Sequence, residues 1–253
     1  FENAPADAMG VRARWDQIGW QDKPLWCIGG DGAFFDIGFQ SLSRLLASGM
    51  PVKCFVLDTQ VYSNTGGQAS TSSFTGQNTK MSIHGKTIHG KQERRKEIAQ
   101  IAMMHPRSYV AQTTCAHMNH FYKAVLGALE FDGPALVACY TTCQPEHGVA
   151  DNMAGEQARL AGDTRAFPLL VYDPRKGDRI SERLSLQGNP AVKEDWFTNP
   201  KTGEVVDFVD FARSEGRFAK HFDRDGNPSE TILRAREDRL ENWHLLQELA
   251  GLR

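Results

Sequence analysis

The sequence contains no Cys-x-x-Cys pair, no apolar run approaching the ~18 residues of a membrane span, and no cleavable leader. The first absence removes a self-contained zinc ribbon and a complete iron–sulfur motif. The second argues against a spanning helix and a membrane partner, the third against secretion. An excess of charge of one sign is also missing: 29 Lys and Arg stand against 31 Asp and Glu, a net charge of −2. A nucleic-acid footprint across the surface is therefore not expected. The five cysteines, at 27, 54, 115, 139 and 143, are odd in number and scattered. Without a secretion signal, such a set points to reduced thiols in the cytoplasm. No internal repeat is present. There is no initiator methionine, and the opening "FENAPADAMG" reads as the middle of something longer.

What is present is apolar material for a core. A chain of 253 residues, 40% of them hydrophobic, suffices for one large α/β domain or a domain with an appendage. Short apolar runs alternate with helical patterns. Strands are predicted at 25–29, 52–58, 108–112, 135–140 and 168–173. Helices are predicted at 36–48, 92–104, 117–131 and 150–162, with Ile37, Leu42, Leu45 and Leu46 on one face of the first and Gly49 with Pro51 ending it. Near-continuous apolar strands separated by helices imply βαβ units, hence an α/β fold with a mostly parallel sheet and helices on both faces. Ligands of such sheets bind at the carboxyl ends of the strands. Residues 59–91 form a long loop of Ser, Thr, Gly and Asn, a length that is either functional or disordered. The domain organisation expected is 1–175 as the ligand-binding domain and 176–253 as an irregular, helical extension packed on it. The extension ends in a helix over 229–249, with Ser229 as N-cap and Leu233, Leu240 and Trp243 facing inward.

The stretch "IGGDGAFFDIG" (28–38) follows the first strand directly. A glycine turn entering a helix binds phosphate through backbone N–H groups. The dinucleotide pattern G-x-G-x-x-G fails here, because Ala33, Phe34 and Phe35 follow Gly32 and Gly38 comes too late. Asp31 would repel a phosphate unless a divalent cation lies between them. Mg²⁺ suits that place, since it binds through one or two carboxylates plus the phosphates of its ligand. Further oxygen donors are expected from the next strand end, "LDTQVYSNTGGQAS" (57–70), which offers Asp58, the Thr59 hydroxyl, backbone carbonyls, Asn64 and the Gly66–Gly67 pair. Thr59 lies 28 positions after Asp31, the span of one helix and one strand. Either motif alone is also a common turn. Their coincidence at one βαβ spacing is what favours a site.

This pairing resembles the diphosphate-binding motif of thiamine-diphosphate enzymes. More closely, "GGDGAFFDIG" with "LDTQVYSNTGGQAS", and later "PLLVYDPR" (168–175), is similar to the C-terminal thiamine-binding region of the pyruvate:ferredoxin (flavodoxin) oxidoreductase family. The likeness is tight over 25–70 and patchy after 176. It implies that Asp31, the Thr59 hydroxyl and the Val61 carbonyl hold Mg²⁺. It further implies that Gly30, Asp31, Gly32, Ala33, Asn64, Thr65 and Gly66 hold the thiamine diphosphate, with Asn64 as the catalytic group beside the reacting carbon. Thr59 stands where many thiamine enzymes carry Asn, and both offer a neutral oxygen. The implied activity is oxidative decarboxylation of a 2-oxo acid, pyruvate above all, to acyl-coenzyme A and CO₂, with electrons leaving through iron–sulfur clusters to ferredoxin or flavodoxin. Cys143, in "YTTCQPEHG", would give one thiolate to a [4Fe–4S] cluster whose other three ligands precede Phe1. The glutamate that activates the cofactor would come from a separate domain or subunit, within a homodimer of the full enzyme. A non-redox thiamine-dependent lyase or synthase with a merely structural Cys143, and a non-catalytic cofactor-binding subunit, are the alternatives.

Other signals are weaker. The Pro-Glu-His run after Cys143 has no counterpart in the resemblance. Cys27, Cys54 and Cys139 fall within strands and are expected in the core. "CAHMNH" (115–120) has residue types for zinc, but nothing completes a tetrahedral set. "DRDGN" (223–227) mimics part of a calcium loop and reads as a turn. Residues 80–96 carry six Lys and Arg against one Glu. They read either as a patch for coenzyme A phosphates or an acidic ferredoxin, or as a solvated face entering a helix.

Overall fold

The computed structural model describes residues 3–253. Helix α1 (Ala4–Gln17) leads into strand β1 (Leu25–Gly30), a π-helical turn (Gly32–Ile37), helix α2 (Phe39–Ser48) and strand β2 (Val52–Asp58). The long loop that follows carries a small hairpin, β3 (Ile83–His84) with β4 (His89–Gly90). Helix α3 (Ile98–Met103), strand β5 (Tyr109–Thr114), helix α4 (Met118–Glu130) and strand β6 (Ala135–Tyr140) complete the parallel part. Then come α5 (Gln144–His147), α6 (Ala154–Asp163), β7 (Leu170–Tyr172), α7 (Ile180–Arg183) and β8 (Leu184–Ser185). A second hairpin follows, β9 (Phe197–Thr198) with β10 (Val205–Val206), and the chain ends with α8 (Phe208–Arg213) and α9 (Glu230–Leu249).

The main sheet has the order β1-β2-β6-β5-β7-β8. Its first four strands are parallel, while β7 runs antiparallel to β5 and β8 antiparallel to β7. Alternation along the strands divides their side chains between two cores. Val110, Leu136, Ala138 and Tyr140 join the larger core, with Leu42, Leu45 and Leu46 of α2, Ile98 and Met103 of α3, and Phe208, Phe211, Ile232 and Trp243 from the C-terminal helices. Tyr109, Ala111, Ala135 and Val137 face the other way, onto Ala124 and Ala128 of α4. Each buried Leu or Phe contributes about 1.5–3 kcal/mol of transfer free energy, so the larger core dominates stability. On its opposite face the sheet has α4 over β5 and β6, and the β1–β2 end stays open. Ile28 is 64% exposed in the middle of β1, and Leu57 is 40% exposed.

Several expectations are corrected. Ile37 does not join the buried face of α2; it is 67% exposed, because the π turn rotates it outward before the α-helix begins. The helix predicted over 92–104 starts only at Ile98. Residues before it stay extended so that the heads of Arg95 and Lys96 reach inward, to Asp58 and to the Phe35 carbonyl. The stretch at 168–173 is an antiparallel strand, shorter than expected, at Leu170–Tyr172, and largely buried. Strand β8 shows that the C-terminal part adds an edge to the sheet as well as helices. In α9, Ser229 accepts from the Ile232 N–H as N-cap and Trp243 is buried, whereas Leu233 points to solvent and Ile232, Ala235 and Leu246 take the inward face.

The loop over 59–91 is not structureless. Ser70, Ser72, Ser73, Thr75 and Gln77 are buried in it. Lys91 Nζ gathers its backbone by donating to the carbonyls of Ser70, Thr71 and Ser73 at 3.2, 3.1 and 2.8 Å. Beneath it lies the fully buried pair Arg95–Asp58, with the guanidinium also 5.2–5.6 Å from the rings of Phe74, Phe167 and Phe35. Removing one partner of such a pair strands a charge in the interior. Arg95→Ala is therefore expected to cost about 3–5 kcal/mol of unfolding free energy, read by urea denaturation; a loss below about 1 kcal/mol contradicts this account of the loop.

Candidate functional site

Two strand ends build the site. Strand β1 ends at Gly30, so Asp31 turns inward at the mouth of the π turn, and it is only 1% exposed. Strand β2 lies beside β1 and ends at Asp58, which puts Thr59 across from Asp31. The Thr59 hydroxyl lies 2.9 Å from Asp31 Oδ1 and 2.9 Å from the Val61 carbonyl oxygen. A carboxylate, a hydroxyl and a backbone carbonyl thus meet at one point. The other carboxylate oxygen accepts from two buried serines of the long loop, Ser70 and Ser72, the latter at 2.6 Å.

The electrostatics of the two buried carboxylates differ. Asp58 has Arg95 as its counter-ion. Asp31 has no ion-pair partner among the described residues and relies on hydroxyl donors alone. Burial, and then the charge of Asp58, push its pKa up to about 6 despite those hydrogen bonds. An unpaired buried carboxylate is costly, and a cation at the oxygen cluster would reverse that cost. The donor set is chemically suited to Mg²⁺, which takes hard oxygens and leaves remaining positions to phosphates and water. Among the described residues no group of three or more His, Cys, Asp and Glu gathers as a self-sufficient metal site.

These atoms open into a cleft of about 630 Å³, lined by Gly30, Asp31, Gly32, Ala33, Thr59, Val61, Asn64 and Thr65, with Ile28, Ile37 and Leu57 forming an apolar wall. The size is that of a small-molecule or cofactor site. Of the residues expected from the sequence, Gly66 is not on the lining; the vector of its missing side chain points at Lys80 Nζ, 3.1 Å away. Gly66 and Gly67 have φ of 104° and 91°, a conformation that glycine adopts at little cost. Asn64 and Thr65 are exposed at the cleft mouth. Cys143 lies three residues past the end of β6, at the same sheet edge, half-buried and capping α5. Cys27, Cys54 and Cys139 are buried in strands, while Cys115 is exposed at the end of β5. His117 and His120 bond to Thr114 and Thr113.

Sequence reasoning missed five residues here. Ser70 and Ser72 looked like linker residues, and the run of hydroxyls after the Gly66–Gly67 turn was the only signal. Tyr62 covers Gly32: a Cβ on Gly32 would come within 2.0 Å of its ring. Asp36 fixes that ring by accepting from the Tyr62 hydroxyl, and it also accepts from Thr71. The His147 ring leaves its own strand-end loop and reaches the Thr59 carbonyl oxygen through Nε2 at 2.7 Å.

The family of the C-terminal TPP binding domain of thiamine pyrophosphate enzymes matches residues 1–139. A pyruvate-flavodoxin oxidoreductase of Rhodospirillum rubrum is 34% identical over 233 residues, 91% of this chain and 18% of its own length. Pyruvate synthase subunit PorB of Thermotoga maritima is 31% identical over 223 residues, 82% of this chain and 68% of its own length. Among solved structures, a 2-oxoglutarate:ferredoxin oxidoreductase from Magnetococcus marinus, with 2-oxoglutarate, coenzyme A and succinyl-CoA bound, overlaps in part. It covers 56% of this chain and 45% of its own, at 24% identity and a TM-score of 0.47. The chain thus spans less than a fifth of the long relatives it matches and about two thirds of the short one.

The contact of Tyr62 with Gly32 gives a direct test of the cleft floor. Gly32→Ala forces the anchored ring aside and is expected to cost about 1–3 kcal/mol, as overpacking does. Gly32→Ala combined with Tyr62→Ala recovers part of that loss relative to Tyr62→Ala alone. Thermal unfolding of the three variants measures it; strictly additive effects contradict the contact.

Proposed function

The chain belongs to the thiamine pyrophosphate enzyme family, in the group of the pyruvate-flavodoxin oxidoreductases and pyruvate synthase subunit PorB, and on that premise we propose that it is the diphosphate- and metal-binding part of a 2-oxo acid:ferredoxin or flavodoxin oxidoreductase. The observation that carries the reading is Asp31: a buried carboxylate with three hydroxyl donors, no cationic side chain paired with it among the described residues, and a cofactor-sized cleft in front of it. The pyruvate-acting relatives favour pyruvate as the 2-oxo acid.

In this reading Asp31, the Thr59 hydroxyl and the Val61 carbonyl hold Mg²⁺. Gly30, Gly32 and Ala33 present backbone to the diphosphate, since glycine lets a ligand approach closely. Asn64 and Thr65 close the other side, and Gly66 shapes the turn that carries them. Thiamine diphosphate, when bound, supplies the electron sink that lets a 2-oxo acid lose CO₂. The protein's share is to fix the charge and to place dipoles where charge develops. Ser70 and Ser72 keep Asp31 ionised and aimed, and the Asn64 amide at the mouth stands where it would steady developing negative charge. Ile28, Ile37 and Leu57 keep water off the apolar side of the cleft.

Other parts of the enzyme complete the site. An open apolar wall of this kind marks a surface that is covered in use. Met118, Tyr122, Leu126 and Leu129 of α4 continue an exposed apolar stripe on the same side of the sheet. Both support contact with the remaining domains or subunits and with a second copy of the enzyme. Cys143 supplies one thiolate of the four that a [4Fe–4S] cluster takes, and the other three belong outside this chain. All five cysteines are free thiols, in keeping with a reducing cytoplasm. Lys80, beside the turn at Gly66, and Lys86 further along the same loop are exposed, and coenzyme A phosphates or an acidic electron acceptor would be attracted to them.

Two substitutions test the assignment on the enzyme carrying this chain. Asp31→Ala is expected to weaken Mg²⁺-dependent thiamine diphosphate binding by more than about 100-fold, seen by calorimetry, with the fold retained. Asn64→Ala is expected to leave that affinity nearly intact and to lower kcat by about 10²–10³-fold. Unchanged cofactor affinity in Asp31→Ala overturns the reading of the site.

A further inference from the structure

The Pro-Glu-His run after Cys143 is the one motif left without a role, and the structure gives it a place. Helix α5 is a single turn that begins where Cys143 ends, closed by the His147 N–H bonding the Cys143 carbonyl at 2.8 Å. Its last residue, His147, is fully buried. The ring Nε2 meets the backbone carbonyl of Thr59 at 2.7 Å. The residue before it, Glu146, lies flat against the neighbouring turn: a Cβ on Gly67 would come within 2.0 Å of its carboxylate. One turn of helix therefore touches the thiamine loop at both ends, at Thr59 and at Gly67.

The turn itself is clamped from behind. Gly148 and Gly216 are in backbone contact, with a Cβ on Gly148 only 2.8 Å from the Gly216 Cα. Gly216 lies between Glu215 and Arg217, which form a fully buried ion pair. Glu215 also accepts from the Tyr140 hydroxyl at 3.0 Å and from Gln157 at 2.8 Å, and Arg217 reaches Gln60 Oε1 at 3.2 Å. The ring is thus held by a frame that cannot rotate without breaking buried hydrogen bonds. His147 Nδ1 has no hydrogen-bond partner and faces Glu215 Oε1 across 3.6 Å. The Thr59 carbonyl oxygen can only accept, so the ring nitrogen that meets it carries a proton and donates it.

We propose that His147 is a positioning residue for the metal-binding loop: by donating from Nε2 to the Thr59 carbonyl, it fixes the residue whose hydroxyl joins Asp31 and Val61. The inference rests on the reading of Asp31, Thr59 and Val61 as the Mg²⁺ ligands. Thr59 has its backbone held by His147 and its hydroxyl turned to Asp31, so the orientation of the oxygen ligand depends on the imidazole. Groups that orient metal ligands in this way are worth on the order of 10–100-fold in metal affinity. The same contact ties the loop bearing Cys143 to the loop bearing Thr59, so that the two are held in one frame.

The test is a pair of variants similar in size to histidine. His147→Gln carries an amide N–H able to reach the Thr59 carbonyl, and His147→Met does not. At fixed thiamine diphosphate, Mg²⁺ is titrated into the enzyme carrying this chain and binding is followed by calorimetry, with circular dichroism as the check on folding. The proposal expects the half-saturating Mg²⁺ concentration to rise by about 10-fold or more in His147→Met and to stay within about 3-fold of the native value in His147→Gln. If both variants bind as the native protein does, or both lose affinity equally, the donor role is wrong. Should His147→Met not fold, His147→Asn, whose shorter amide falls short of the carbonyl, takes its place with the same expectation. Asp31→Ala is titrated alongside. Lost Mg²⁺ dependence there, with the His147 variants unaffected, overturns this inference alone; an unaffected Asp31→Ala overturns the metal site and the inference with it.

Discussion

A single buried carboxylate sets the terms for this fold. Asp31 sits at the end of the edge strand β1, in a place where water does not hydrate it and where, among the described residues, no arginine or lysine pairs with it. Its neighbour Asp58 is equally buried, and Arg95 answers that charge directly. The protein thus resolves one of two adjacent charges with its own cation and leaves the other to hydroxyls. Hydroxyl donors orient a carboxylate without discharging it. The site that results is a held, aimed anion at the mouth of a cleft, with a hydroxyl and a carbonyl already beside it.

Much of the rest serves that arrangement. The long loop after β2 folds back so that Ser70 and Ser72 reach Asp31, and Lys91 binds three of its carbonyls to keep it there. Arg95 doubles as the floor of the loop, by pairing Asp58 and also lying against three aromatic rings. Helix α5, from the end of β6, supports Thr59 from the other side. The parallel strands β1, β2 and β6 are therefore more than a scaffold: their carboxyl ends deliver Asp31, Thr59 and Cys143 to one edge.

The parts legible in the sequence are those where a local pattern and the tertiary structure demand the same thing. Strands β2 and β6 read correctly to the residue, because β6 is buried throughout, β2 is buried along most of its length, and neither apolar run has a reason to break. The pairing of the Gly-Asp-Gly turn with the loop beginning at Thr59 was legible because βαβ spacing fixes which loops meet. Reading failed where side chains reach past their own element. The helical pattern before Ile98 gives way because Arg95 and Lys96 need extended backbone to bury their heads. The serines at 70–73 have the composition of a linker and the environment of a core, a difference no composition shows. Ile28 and Ile37 are apolar and exposed, since they line a cleft wall instead of packing inside. His147 was invisible because its partner lies 88 residues away.

The central claim is that a divalent cation stands between Asp31 and a diphosphate. Anomalous diffraction from crystals grown with Mn²⁺ in place of Mg²⁺ and soaked with thiamine diphosphate tests it most directly. The account predicts a single strong anomalous peak in contact with Asp31, the Thr59 hydroxyl and the Val61 carbonyl, with diphosphate density continuing toward Gly30 and Gly32. Cofactor density without a metal peak at Asp31, or a metal bound elsewhere in the cleft, would contradict it.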